Sequence, residues 1–415
     1  MRDTSFSICK AIAIILVVLS HACVPGWFYN FIFQFHVPIF FICAGYFFHT
    51  KYVDTPITYV EHRVKGLYWP FLRWSLVFLV LHNLFFAVGL LSEQYGNANG
   101  GVLHPYSWHD FFQRFWNIVF NMSGYDEFIG GSFWFFRALF VASLAFLLGF
   151  ILFRRFRPED SVKKTASIIA GCAVFLIIWK IAAGLKILGL AGGGYRELLG
   201  VFFMCMGFLF RQYRQQIPLR WPFALGCLAV TALGATYFPA SMSYTADFQH
   251  FFSILPTALC GFGLVYYVSL QIDKRENILK TSLVYVGERT LYIFAFHLLA
   301  FKIVSAIKVA CYGLPWQQVG GHTVVNSFTD DWFWLLYTIV GVGVPLAWLE
   351  GYRYWAARVD LSLKSCLRYL LNGTIKLCVI IGKFVKRVVL AIGASIVGVW
   401  QAIKDIVKAS DPKNE

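Results

Sequence analysis

The sequence predicts an all-α fold: a polytopic membrane bundle of about ten transmembrane helices with a C-terminal amphipathic interfacial helix. Three observations carry this expectation. The 415 residues are 59% hydrophobic and 19% aromatic, with a mean hydropathy of +0.63 and 14% charged residues. No soluble domain of this length needs so much apolar surface. Ten apolar runs follow one another, and the charge of the stretches between them alternates.

The runs lie at 8–24, 31–49, 67–91, 133–153, 165–183, 196–211, 221–239, 250–272, 284–310 and 332–350. The first has no small-x-small cleavage site and is followed at once by another span, so it is expected to be retained. One set of connections holds Lys51, Arg63 and Lys65, then Arg154, Arg155, Arg157, Lys163 and Lys164. It continues with Arg211, Arg214 and Arg220, then Lys274, Arg275 and Lys280. The opposite set, 25–30, 92–132, 184–195, 240–249 and 311–331, contains only Arg114 and Lys186. By the positive-inside rule the first set and both termini are cytoplasmic. The net charge of +15 therefore reads as orientation in a membrane, and no nucleic-acid partner is expected.

Residues 1–352 form the expected membrane domain and 353–415 a cytoplasmic basic tail. Within 374–408, Lys376, Lys383, Lys386, Arg387, Lys404 and Lys408 fall in an arc of about 100° on a helical wheel. That pattern suits a helix lying on anionic lipid at the inner leaflet; as an eleventh span it would turn cations into the bilayer. The ten cysteines form no CxxC or CxxH pair, and most lie in apolar runs as small hydrophobes. Neither disulfide nor metal is expected. No internal repeat is visible.

Two ionisable residues belong to the first run. Lys10 and His21 are separated by three turns plus about 20°, so they share a helix face about 16 Å apart along the axis. Keeping such groups in a membrane segment is costly, and chemistry or transport is the usual reason. His36 enters from the opposite side to a similar expected depth, and Pro38 just after it breaks the helix there. His297 is a third such imidazole. Each also has a plain structural reading as a donor to a helix carbonyl. Neutral imidazole is the natural general base for a hydroxyl. Ser20 is no nucleophile for His21, since adjacent helical residues diverge by about 100°.

Arg63, Lys65 and Arg73 cluster cations at the expected cytoplasmic mouth, where they suit phosphates or simply flank the membrane. Arg137 and the Arg196–Glu197 pair are unexpected charges near the opposite ends of their runs, suited to an anionic or sugar ligand or to snorkelling. Segments 92–132 and 311–331, rich in glycine, polar and aromatic residues, suit a sugar surface or a membrane-interface belt.

Taken together, several stretches resemble the integral-membrane acyltransferase-3 family, which includes bacterial surface-polysaccharide O-acetyltransferases. They are KAIAIILVVLSH (Lys10 to His21), FHVPIFFICAGYFF at 35–48, RVKGLYWPF at 63–71, GSFWFFRALF at 131–140 and VGERTLYIFAFH at 286–297. Their order fits over about residues 5–350. Two positions depart from the family pattern: Lys10 stands where arginine is usual, and Gly66 occupies the second place of an Arg-x-x-Arg motif begun by Arg63. The resemblance implies an acyl-CoA donor, acetyl-CoA above all, used on the cytoplasmic side of a bacterial inner membrane. It also implies a hydroxyl acceptor on a sugar or glycan. Some relatives carry a further periplasmic hydrolase-like domain, so direct transfer by the membrane core is the simpler expectation here.

Joined to the residues, the expectation is concrete. Arg63, Lys65 and Arg73 take the donor phosphates, with Lys10 along the arm. His21 is the general base, and Lys10 and His36 share the catalytic centre. Trp134, Arg137 and His297 meet the acceptor, which arrives between segments 92–132 and 311–331. A proton-coupled transporter or flippase of a lipid-linked sugar is the alternative, with the same histidines and Lys10 as a relay.

Overall fold

The computed structural model describes residues 3–96, 104–187 and 191–356, and the expected amphipathic tail at 374–408 lies outside them. All regular structure among the described residues is helical. The chain divides into two compact units, Met1–Trp348 and Leu349–Glu415. The packing and site contacts that follow lie in the first.

Helix α1 (Thr4–Ser20) ends at His21. Helices α2 (Gly26–Phe33) and α3 (Pro38–Tyr46) are one apolar run interrupted by turns at 34–37. Pro38, which has no N–H to donate, occupies the first position of α3, so the break foreseen there is present. Short α4 (Lys51–Asp54) precedes α5 (Pro56–Arg63), a π-helical turn at Val64–Tyr68 and α6 (Trp69–Ala87). Then come α7 (Trp108–Asn121), α8 (Trp134–Phe156), α9 (Val162–Ala183), α10 (Tyr195–Tyr213) and α11 (Trp221–Tyr237). Last are α12 (Phe248–Asp273), α13 (Ile278–Gly287), α14 (Thr290–Tyr312) and α15 (Phe333–Ala356).

Among the described residues, seven helical stretches are long and apolar enough to cross a membrane: Gly26–Tyr46, Pro56–Ala87, Trp134–Phe156, Val162–Ala183, Phe248–Asp273, Thr290–Tyr312 and Phe333–Ala356. The other three expected runs fold as α1, α10 and α11, of 17, 19 and 17 residues. That length is at the short limit for a crossing. Expected run 284–310 starts later, because the chain breaks at Glu288 and Arg289 between α13 and α14.

Segment 92–132 departs most from a simple connecting loop. Near the end of α6, Asn83 exchanges two hydrogen bonds with the Tyr106 backbone, at 3.0 and 2.7 Å. At its start, the Tyr68 hydroxyl donates to the Val119 carbonyl at 2.6 Å. Helix α7 therefore runs antiparallel along α6. Its Phe111, Phe115 and Ile118 pack on the core, while Trp108, Phe112, Trp116 and Phe120, spaced by four residues, form an exposed aromatic stripe. The chain then returns through 122–132. Asp126, buried, accepts from the Phe128 and Ile129 N–H groups at 2.9 Å each and pairs with buried His82. Arg114 holds the same return through the Gly124 and Tyr125 carbonyls and Glu127.

The return sets where α8 begins. The Phe133 ring lies 5.9 Å from Phe78, and the Phe136 ring 6.1 Å from Phe71 and 6.3 Å from Trp74. Helix α8 thus starts opposite the middle of α6, inside the bundle.

Helices α3 and α10 approach closely through glycine. A Cβ on Gly45 would sit 1.9 Å from the Met204 carbonyl oxygen, and one on Gly207 1.9 Å from that of Ile42. Small residues let helix backbones meet in this way. Gly207→Ala is expected to push the two helices apart and destabilise the protein by about 1–3 kcal/mol. A lowered thermal midpoint in detergent is the readout.

Candidate active site

A cavity of about 90 Å³ opens beside the end of α1, lined by His21, His36, Ser132, Trp134, Ser243 and Thr290 among mainly apolar neighbours. From α1 come Ile14, Val17 and His21. Lys10 precedes Ile14 by one turn, so Lys10, Ile14, Val17 and His21 follow the spacing of one helix face. Three of the four wall the cavity. Lys10 is half-buried and has no hydrogen bond or ion pair among the described residues.

His36 sits in the turn between α2 and α3. Its Nδ1 donates to the Ile32 carbonyl at 2.8 Å, which leaves Nε2 as an acceptor. The helix break that Pro38 enforces thus turns this histidine to the cavity. Both histidines placed at one depth by the sequence do meet at one site.

His297 lies against His21 with ring centroids 5.3 Å apart but does not line the cavity. It is fully buried, donates from Nδ1 to the Phe294 and Ile293 carbonyls at 2.9 and 3.1 Å, and has no partner at Nε2. Trp134 forms part of the wall, and the Arg196 guanidinium lies 4.4 Å from its ring centroid. Arg137 is set back from the wall; its Nε is 3.7 Å from Glu197 Oε1, with both side chains buried.

The cations expected to hold donor phosphates lie elsewhere, all on the Pro56–Ala87 stretch. Arg63 caps the Tyr59 ring at 4.7 Å with its Nε buried and without a hydrogen-bond partner. Lys65, in the π-helical turn, is exposed and 3.8 Å from Glu61. Arg73 is exposed over Trp74 at 5.0 Å. None of the three lines the cavity.

Residues 313–331 fold over the end of α1. Buried Lys302 of α14 donates to the Val319 and Gly321 carbonyls at 3.1 and 2.7 Å. Lys308 binds the Phe328 carbonyl and Asp331, each at 2.9 Å. Thr323 donates its hydroxyl to the His21 carbonyl at 2.5 Å. His322 packs edge-on to Phe128 at 5.9 Å, so this segment meets the return after α7. Burial, and then the nearby Lys302 ammonium, push the His322 imidazole down to about 4, leaving it neutral near pH 7.

Sequence reasoning missed Ser132, Thr290, Lys302 and Thr323. Ser132 follows two glycines and reads as linker, and only the fold brings it beside His21. Lys302 was detectable as a cation deep in an apolar run that also holds Lys308.

An apolar helical bundle with His21 and His36 on the wall of one cavity describes an integral membrane protein that keeps ionisable groups inside its helices. Comparison with known families gives the class directly. The acyltransferase-3 family, described as an acyltransferase domain, matches residues 3–350, and the chain belongs to it. The protein is a membrane acyltransferase. No curated protein and no solved structure matches the chain.

Lys302→Met removes the ammonium that ties two carbonyls of segment 313–331 to α14. Hydrogen bonds to charged groups are worth about 1.5–3 kcal/mol each. The variant is expected to lose thermal stability in detergent and to be cleaved faster by protease within 313–331.

Proposed function

We propose that the protein moves an acetyl or other short acyl group from cytoplasmic acyl-CoA to a hydroxyl of a sugar or cell-surface glycan. The observation that carries this reading is the wall of the cavity, where His21 and His36 converge at the end of a stripe that begins at Lys10. Family membership supports acyl transfer, and the donor and acceptor are our inference. The protein resides in this reading in a bacterial inner membrane, with both termini cytoplasmic. Its membrane domain spans 1–352 and its basic tail 353–415.

Arg63, Lys65 and Arg73 meet the CoA phosphates at the mouth. The pantetheine arm passes Lys10 and delivers the thioester to the cavity. The acceptor hydroxyl is placed by Trp134 and Arg137, approaching between segments 92–132 and 311–331. His21 takes the hydroxyl proton as the oxygen attacks the thioester carbonyl. The tetrahedral intermediate collapses with cleavage of the C–S bond, and the CoA thiolate leaves with the proton held by His21. His36, fixed by its bond to Ile32, orients the reactants at the same cavity. His297 buttresses the His21 ring rather than touching the acceptor. A positioned general base contributes about 10²–10⁴-fold, and holding both reactants in a small dry site adds orientation.

The test uses labelled acetyl-CoA and membranes bearing each variant. His21→Ala is expected to lower acetyl transfer by at least about 10²; unchanged transfer rejects the base. Lys10→Ala is expected to raise KM for the donor, while Lys10→Arg retains most activity because the charge is kept. Movement of a sugar across the membrane without acylation supports the transport alternative instead. Mass spectrometry of surface glycans with and without the protein identifies acceptor and acyl group together.

A further inference from the structure

We propose that Ser132 and the N-terminal end of α8 form the oxyanion-binding site of the transfer reaction, with the Ser132 hydroxyl donating to the thioester carbonyl oxygen as it becomes anionic. The proposal rests on the acyl-transfer reading above and assigns a group that touches the reacting atoms.

Two independent features meet at this point of the cavity. Ser132 is 4% exposed, lines the cavity with His21 and His36, and its hydroxyl has no hydrogen-bond partner. Of the three hydroxyl side chains on the wall, Ser132, Ser243 and Thr290, it is the one whose oxygen is both fully covered and unpaired. Leaving a buried hydroxyl unpaired is unfavourable, and such groups in native proteins usually await a ligand or water.

The second feature is the helix. Helix α8 runs for 23 residues from Trp134, and the return after α7 places its first turn inside the bundle rather than at a surface. Trp134 and Phe135 of that turn also line the cavity. No acidic residue lies in the first turn, and the N-cap, Phe133, supplies no side-chain acceptor. No carboxylate of the first turn offsets the positive end of the helix dipole beside the cavity. The N–H groups of Phe135 and Phe136 are taken by the Ser132 and Phe133 carbonyls, each at 3.1 Å, so the helix acts through its field and the direct bond falls to Ser132.

The step balances as follows. The acceptor oxygen forms a bond to the acyl carbon and its proton passes to His21. The carbonyl π electrons move to oxygen, which takes a hydrogen bond from Ser132. When the carbonyl re-forms, the C–S bond breaks and the thiolate recovers the proton from His21. Ser132 donates throughout and forms no covalent bond.

The test compares Ser132→Thr with Ser132→Val, two side chains of the same shape that differ in the hydroxyl. Full-length protein in membranes is assayed with labelled acetyl-CoA, and thermal midpoints in detergent are measured alongside. Removing one oxyanion donor costs about 10²–10³-fold in kcat. Ser132→Val is expected to fall by about that factor with KM for acetyl-CoA unchanged, while Ser132→Thr stays within about tenfold of the native protein. Equal kcat for Thr and Val, or a change confined to KM, overturns the proposal while the acyl-transfer reading stands. Ser132→Ala gives the same comparison if the branched side chains reduce stability. A native protein that transfers no acyl group overturns both readings.

Discussion

In a membrane bundle, each backbone group released by a helix break must find a partner inside the protein, and this constraint organises the whole structure. The breaks gather around one place. Helix α1 stops at Ser20, and Thr323 takes the His21 carbonyl. The run from α2 to α3 opens at 34–37, where His36 holds the Ile32 carbonyl and Gln34 donates to the Thr231 carbonyl of α11. Before α8, Asp126 collects two N–H groups. Above α14, Lys302 holds two carbonyls of 313–331. Each of these irregular stretches is fastened by a polar side chain.

Fastened breaks leave room. Continuous helices would close the space between α1, α3, α8 and α14 with side chains, whereas here it is a cavity with imidazoles on its wall. The surrounding layer of Phe78, Phe133, Phe136 and Phe294 is densely aromatic. An apolar surround of this kind strengthens the electrostatic contacts of a reacting group. The charged groups near the site, Arg137 with Glu197 and Arg196 over Trp134, lie on the α8–α10 side. The cations of Pro56–Ala87 stand apart, which suits a long donor that reaches the cavity from a distance.

Much of this was legible in the sequence because it is local. Lys10 and His21 stand out in a run of seventeen residues that is otherwise apolar apart from Ser20, and helical periodicity alone puts them on one face. Pro38 announces the break beside His36, since a missing N–H has the same consequence in any fold. Other features depend on contacts between distant residues. Segment 92–132 is polar and glycine-rich, so nothing local reveals that Asn83 and Tyr68 draw α7 along α6. Ser132 looks like part of a linker until that return lifts α8 into the interior. Glu288 and Arg289 lie within a run whose hydropathy hides the break between α13 and α14. His297, an expected acceptor contact, sits beside His21 rather than on the wall, a place set by packing.

The central claim is that a thioester delivered along the Lys10 face reaches His21 in the cavity beneath segment 313–331. A cryo-electron microscopy map of the full-length protein with a non-hydrolysable acetyl-CoA analogue tests it most directly. The account predicts the pantetheine arm beside Lys10, Ile14 and Val17, with the acyl carbonyl between His21 and Ser132. An analogue bound with its acyl end on another face of the bundle, while the cavity stays filled by side chains, would contradict it.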